Sequence, residues 1–121
     1  MSRKPFDAKG STRKALLKQG YLMAEDVETY RGGFKYDLLG FGDLLAYAPD
    51  KGLLLVQATV AEHQAAHIKK AFAEPRLARW LDWGFRAELW VWPSRADRED
   101  GDMEPVVIDM RPPIDKAADA R

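Results

Sequence analysis

Cysteine is absent from the 121 residues. That removes disulfides, thiolate zinc sites and a cysteine nucleophile from consideration. Long hydrophobic runs are absent too: nothing approaches the roughly 18 consecutive apolar residues a membrane-spanning helix needs. The opening segment MSRKPFDAKGSTRK lacks the apolar stretch of a secretory signal, so the expectation is a cytoplasmic protein with no membrane association. Net charge is lacking as well: 19 basic residues balance 19 acidic ones. Strong non-specific attraction to nucleic acid therefore has no global source. Histidines number only 2, and no Ser-His-Asp order can be read. The glycine pairs Gly32-Gly33 and Gly40-x-Gly42 do not match a phosphate-cradling loop.

What is present is enough apolar residue, 46% of the chain, to build one core. The charge is unevenly placed. Residues 1–20 carry Arg3, Lys4, Lys9, Arg13, Lys14 and Lys18 against Asp7 alone, whereas residues 97–121 carry eight acids and four bases. Two readings follow. One is a solvated basic helix and an acidic tail; the other is a basic face, Lys14 and Lys18 included, that meets phosphate. The organisation read from composition is a flexible N-terminus over residues 1–10 and a core domain over 11–93. Residues 94–121 read as a charged loop, an edge strand near Val106–Met110, and a flexible tail.

Along the chain, Ser11 or Thr12 is placed to cap a helix running to Gln19, with Gly20 as its stop. A strand is expected near residues 25–31. Gly32-Gly33 then makes a hairpin turn. Residues 34–48 read as a second strand, kinked at Gly40 and Gly42. If that strand were unbroken, Asp37 and Asp43, six apart, would face one side; a bulge would reverse that. Pro49-Asp50-Lys51-Gly52 signals a turn. Leu53 to Val60 is almost wholly apolar, as in a central strand covered on both faces. Ala61–Phe72 has helical spacing, and Pro75 opens a second helix that Gly84 ends. Phe85–Trp92 alternates as a strand. The order helix, strand, strand, strand, helix, helix, strand predicts an α/β fold with a mixed central sheet flanked by helices.

Asp43 is an acid within an apolar run, and Gln57 and Thr59 are polar positions on the neighbouring strand. An acid inside a sheet costs several kcal/mol, on the order of a buried unpaired charge, unless it is paired or binds a metal. The plain alternative is that Asp43 caps a bulge and Gln57 bonds nearby backbone. His63 and His67, four apart, share a helical face. That spacing can bind zinc, but no third ligand is evident, so a solvated or phosphate-contacting pair fits better. Trp80, Trp83, Trp90 and Trp92, with Tyr21, Tyr30, Tyr36 and Tyr47, are either platforms for bases or, more simply, core and oligomer-interface residues.

This element order, with Asp43 on the second strand and Gln57-Ala58-Thr59 on the third, resembles the PD-(D/E)xK nuclease superfamily, restriction endonuclease-like and Holliday-junction-resolvase-like. The resemblance runs over about residues 12–92. It is closest to small bacterial and phage members with a segment of the type DLLGFGDLLA followed by VQAT and a helix. It implies a restriction-endonuclease-like sheet and a divalent ion, Mg²⁺ or Mn²⁺. Asp43 would hold that ion together with the residue at the third strand's acid position, here Gln57. Thr59 stands where the family has its lysine, and Gly42 where it has proline. Glu28 matches the upstream acid, with Glu25 a weaker alternative, and Asp37 is a further oxygen donor. Gln57 offers a carbonyl oxygen without charge, and Thr59 cannot replace an ammonium. Lys69 or Lys70 from the following helix is then the displaced lysine.

The implied activity is phosphodiester hydrolysis on DNA. Asp43, Gln57, Thr59, Glu28 and Lys69 would form the catalytic set. Asp43, Gln57 and Glu28 would be the metal ligands, and Lys14, Lys18, His63, His67 and Lys70 the nucleic-acid contacts. A homodimer is implied because related nucleases cut two strands with two copies. The rival readings are a catalytically silent domain of the same fold that binds DNA or protein, and a phage or mobile-element accessory protein working through a dimer interface.

Overall fold

The computed structural model describes residues 5–111. A five-stranded mixed sheet forms its centre, in the order β1 (Met23–Asp26), β4 (Leu44–Ala48), β5 (Gly52–Val60), β6 (Arg86–Trp92) and β7 (Val106–Asp109). Only β5 and β6 run parallel; the other neighbours are antiparallel. β2 (Thr29–Arg31) and β3 (Phe34–Tyr36) form a separate hairpin. Four helices complete the fold: α1 (Ala8–Lys18), α2 (Gln64–Phe72, entered through a short 3-10 turn at Ala61–His63), α3 (Pro75–Asp82) and α4 (Arg95–Glu99). The expected α/β class with a helix-flanked mixed sheet is the observed one.

The parity of β5 organises both halves of the core. Leu54 and Val56 pack with Leu16, Ala24, Leu44, Ala46, Trp90 and Trp92 on the α1 side. Leu55 packs with Ala71, Leu77, Ala87, Leu89 and Val91 on the α2–α3 side. Alternation within a strand sends successive side chains to opposite faces, and an apolar residue at nearly every position of β5 satisfies both. Each fully buried Leu in these layers contributes about 1.5–3 kcal/mol. Buried indoles also find acceptors: Trp92 Nε1 donates to Thr12 Oγ1 at 2.8 Å and Trp90 Nε1 to Glu88 Oε1 at 3.1 Å.

Several local expectations are corrected. α1 is capped not by Ser11 or Thr12 but by Asp7, whose side chain accepts from the Gly10 amide. Thr12 lies one turn inside, donating to the Ala8 carbonyl. The strand expected near 25–31 is two strands, because Val27 and Glu28 interrupt the ladder between β1 and β2. The strand expected over 34–48 is broken. After β3 the chain turns tightly at Asp37–Gly42, where the Leu38 amide donates to the Gly42 carbonyl at 2.8 Å and Gly42 donates back to Leu38 at 3.0 Å. Leu39 adopts φ 56° there, a conformation unusual for a residue with a side chain. The charged stretch after Pro93 includes α4, capped by Ser94, whose hydroxyl accepts from the Asp97 amide. Beyond it β7 pairs with β6, and Met110 is buried. The tail after Arg111 lies outside the described residues.

Candidate functional site

Asp43 sits immediately before β4, at the mouth of the β4–β5 ladder. Its amide donates to the Val56 carbonyl at 2.9 Å. Leu44 with Val56 is the last pair of the β4–β5 register, so Asp43 and Leu44 both lie opposite Val56, as in a β-bulge. Alternation along β5 puts Gln57 on the face of Leu55. The Asp43 carboxylate is 4% exposed. Oδ1 accepts the Ala58 amide at 3.2 Å, and Oδ2 lies 3.5 Å from Gln57 Nε2. Gln57 Nε2 also donates to the Ala58 carbonyl at 3.2 Å. Gln57 therefore turns its amide nitrogen, not its carbonyl, toward Asp43. Thr59 is buried two residues further along β5.

The break in the second strand brings further acids into range. Leu38 and Gly42 bridge each other, so Asp37 and Asp43 flank the bridge. Glu28 lies in the β1–β2 connection and its side chain is 4% exposed. It is held by two ammonium groups: Lys9 Nζ donates to Oε1 at 2.5 Å, and Lys35 Nζ stands 3.0 Å from Oε2. The Lys35 contact has ion-pair distance without hydrogen-bond alignment, which leaves Oε2 without a hydrogen-bond donor. Asp37 Oδ1 is likewise buried and has no hydrogen-bond partner among the described residues. Lys9 also bonds Asp26 at 2.6 Å.

The electrostatics follow from this crowding. Burial pushes the Asp43 carboxyl up to about 7; the Ala58 amide opposes the shift, Glu28 and Asp37 add to it, and Lys9 again opposes. Burial also raises Asp37, with Lys35 pulling it down and Glu28 pushing it up. Lys35 is raised, chiefly by its contact with Glu28. Burial would lower Lys9, but its bonds to Asp26 and Glu28 more than offset this, and it is raised. On α2, burial lowers His67, Asp37 opposes, and His63, Lys70 and Lys35 add to the lowering. Asp37 also feels Lys70 directly.

Asp43 thus contacts Gln57, Glu28 and Asp37 act on it electrostatically, and Lys70 and His67 act on Asp37. Lys69 and Lys70 are exposed residues of α2, and Lys70 acts on Asp37. His63 ends the 3-10 turn before α2 and is exposed. Lys14 and Lys18 are exposed on α1. At about 1.5 Å of rise per residue, Lys18 stands some 13 Å along the helix axis from Lys9. Glu25 is exposed on β1. Lys9 and Lys35 were not singled out from the sequence, because their partner Glu28 lies 19 and 7 residues away and no periodic pattern links them. Of the aromatics, Trp90, Trp92 and Tyr21 are core, while Tyr30, Tyr36 and Trp83 are exposed.

Gly42 is enclosed. A Cβ there would come within 2.2 Å of Leu55 Cδ1 and 2.4 Å of its Cγ. The close approach of the turn to β5 needs the missing side chain, and this approach is what seats Asp43 against Ala58.

No family model, no curated protein and no solved structure matches the chain. The class its fold defines is a mixed α/β protein, and among the described residues no helix is long and apolar enough to cross a membrane.

Proposed function

We propose that the protein is a small divalent-metal-dependent nuclease, or a nuclease-like DNA-processing protein, that hydrolyses phosphodiester bonds. The observation that carries this reading is the buried Asp43 carboxylate beside Gln57 at the mouth of the central ladder, with the Asp37 and Glu28 carboxylates acting on it. Three acids crowding one another in low dielectric is an unfavourable arrangement that a cation relieves. The donor set is all hard oxygen, which suits Mg²⁺ or Mn²⁺. Asp37 Oδ1 is buried and has no hydrogen-bond partner among the described residues. As the side chains stand, however, no three His, Asp or Glu among the described residues are close enough to close on one ion. A bound ion would therefore keep several waters and take one or two carboxylates, the usual habit of Mg²⁺.

When bound, the ion supplies a Lewis acid for the phosphate and an acidified water. Asp43 and Asp37 would hold it, with Glu28 behind them. Lys70 and His67 line the approach as phosphate contacts. Lys9 and Lys35 bring in the positive charge that Thr59 cannot supply. The catalytically silent alternative rests on a specific observation too: Glu28 is already neutralised by Lys9 and Lys35, and Gln57 offers Asp43 a nitrogen.

The test is a Mn²⁺ titration followed by paramagnetic line broadening, on wild type and Asp43→Asn. The expected result is saturable broadening centred on Asp43, Gln57 and Asp37, absent from the variant, together with Mn²⁺-dependent cleavage of DNA by wild type only. Broadening with no localised centre overturns the metal site. Localised broadening without cleavage of duplex, single-stranded or branched DNA selects the silent module.

A further inference from the structure

The β2–β3 hairpin stands apart from the sheet, and all six of its strand residues are exposed. A two-stranded hairpin with no buried face is marginal by itself. Its sequence is TYRGGFKY: three aromatics, two cations and no acid in eight residues. Gly32 and Gly33 take φ 57° and 82°, as a two-residue hairpin turn requires. Pairing sets Thr29 opposite Tyr36, Tyr30 opposite Lys35 and Arg31 opposite Phe34. Alternation therefore puts Arg31, Phe34 and Tyr36 on one face and Tyr30 with Lys35 on the other. On the first face the Arg31 guanidinium lies 4.6 Å from the centre of the Tyr36 ring. Phe34 is 68% exposed, Tyr36 43% and Tyr30 71%.

Both roots of the hairpin are site residues: Glu28 immediately precedes Thr29, and Asp37 immediately follows Tyr36. Lys35 reaches back from the hairpin to Glu28 at 3.0 Å. A strand whose phosphate met Lys70 and His67 would thus have its neighbouring nucleotides beside the hairpin.

We infer that this hairpin is a base-stacking finger, its Phe34–Tyr36–Arg31 face taking unpaired nucleotides of the nucleic-acid strand whose phosphate lies at Asp43. The inference rests on the nuclease reading and gives it a substrate class: DNA with unstacked or single-stranded nucleotides next to the scissile bond. Aromatic rings and guanidinium planes stack on any base, so they give affinity without sequence preference. Charge is complementary as well, since the stacking face carries the Arg31 guanidinium and no acid. A purely apolar contact with a second copy of the chain has no use for Arg31 among the rings.

The experiment measures binding of fluorescein-labelled oligo(dT) and of a blunt duplex by anisotropy, in EDTA so that no metal chemistry contributes, at several salt concentrations. The variants are Phe34→Leu, Tyr36→Leu, the double variant and Phe34→Trp. Leucine keeps apolar bulk and removes the π face; tryptophan keeps the π face. Circular dichroism melts and sedimentation accompany each. The expected result is single-strand binding weaker by roughly ten-fold in each leucine variant, more in the double, and retained in Phe34→Trp. The salt slope should stay as in wild type, because no phosphate contact is lost. Equal binding by wild type and the double variant overturns the finger. So does wild type that fails to bind oligo(dT), and so does a double variant that changes only from dimer to monomer. The Mn²⁺ titration is independent of these readings: localised broadening at Asp43 alongside a failed finger keeps the nuclease and discards the inference.

Discussion

The Asp43 carboxylate and the Ala58 amide are joined at 3.2 Å across the open end of the β4–β5 ladder, where a main-chain carbonyl would otherwise accept. Asp43 is thus a sheet-closing group as well as a candidate ligand, and the two roles separate by substitution. Asp43→Ala leaves the Ala58 amide without its acceptor in a buried place, which costs about 1–3 kcal/mol. Asp43→Asn keeps an oxygen for that amide. In urea unfolding at pH 4, where Asp43 ionisation weighs little, Asp43→Ala should lose stability by this amount, and Asp43→Asn should lose less than half of it. Equal losses in the two variants would mean that the Ala58 contact contributes nothing.

The pH dependence follows from the direction of the Asp43 shift. Its carboxyl titrates near 7 when folded and near 3.8 when unfolded, so between these values the folded state binds the extra proton. Stability then falls as pH rises from about 4 to about 7 and levels off above, by up to about 4 kcal/mol. Asp37 acts in the same direction, and His67, lowered by burial, acts against it. The groups that bear on Asp43 include the Ala58 amide on β5, Glu28 and Asp37 from the loops around the hairpin, and Lys9 from α1; Lys35 on β3 is coupled to it as well. The difference between wild type and Asp43→Asn isolates the Asp43 contribution. Measured without divalent ion, that difference should favour the asparagine variant increasingly from pH 4 to 7. A difference that stays level across this window would show that Asp43 is not held above its ordinary value.

Much of this was legible in the sequence where local signals and long-range packing agree. The largely apolar run of β5, the Pro49–Gly52 turn, the Gly32-Gly33 hairpin and the helix opened by Pro75 each have a local cause and appear as expected. Asp43 and Gln57 were visible as polar positions in apolar strands, and the structure pairs them. The second strand was misread because its apolar residues continue through the turn: Leu38, Leu39 and Phe41 pack on the α2–α3 core layer from a loop rather than a strand. The cap of α1 was misassigned because Ser11 and Thr12 are also good cap residues, and the Trp92 indole that calls for Thr12 inside the helix lies 80 residues away. Lys9 and Lys35 escaped notice for the same reason, since surface lysines are common and only the fold shows which of them meets a buried acid.

Lys9 offers the sharpest check on how α1 serves the site. Its ammonium bridges Asp26 and Glu28, and the Glu28 side chain is almost wholly buried. Lys9→Met keeps most of the aliphatic stem and removes the charge. Glu28 then retains only Lys35, which lacks hydrogen-bond alignment to it, so one buried carboxylate oxygen loses its donor, at a cost of about 1–3 kcal/mol. The same change removes a cation that holds Asp43 down, so the Asp43 midpoint should move above 7. Urea unfolding gives the first quantity, and carboxyl ¹³C shifts followed from pH 4 to 9 give the second. A helix that merely packs on the sheet would show the loss of stability with the Asp43 midpoint unmoved. If Lys9 belongs to the electrostatics of the site, both should change together, and Lys9→Arg should restore them in part, because guanidinium keeps the charge but not the geometry.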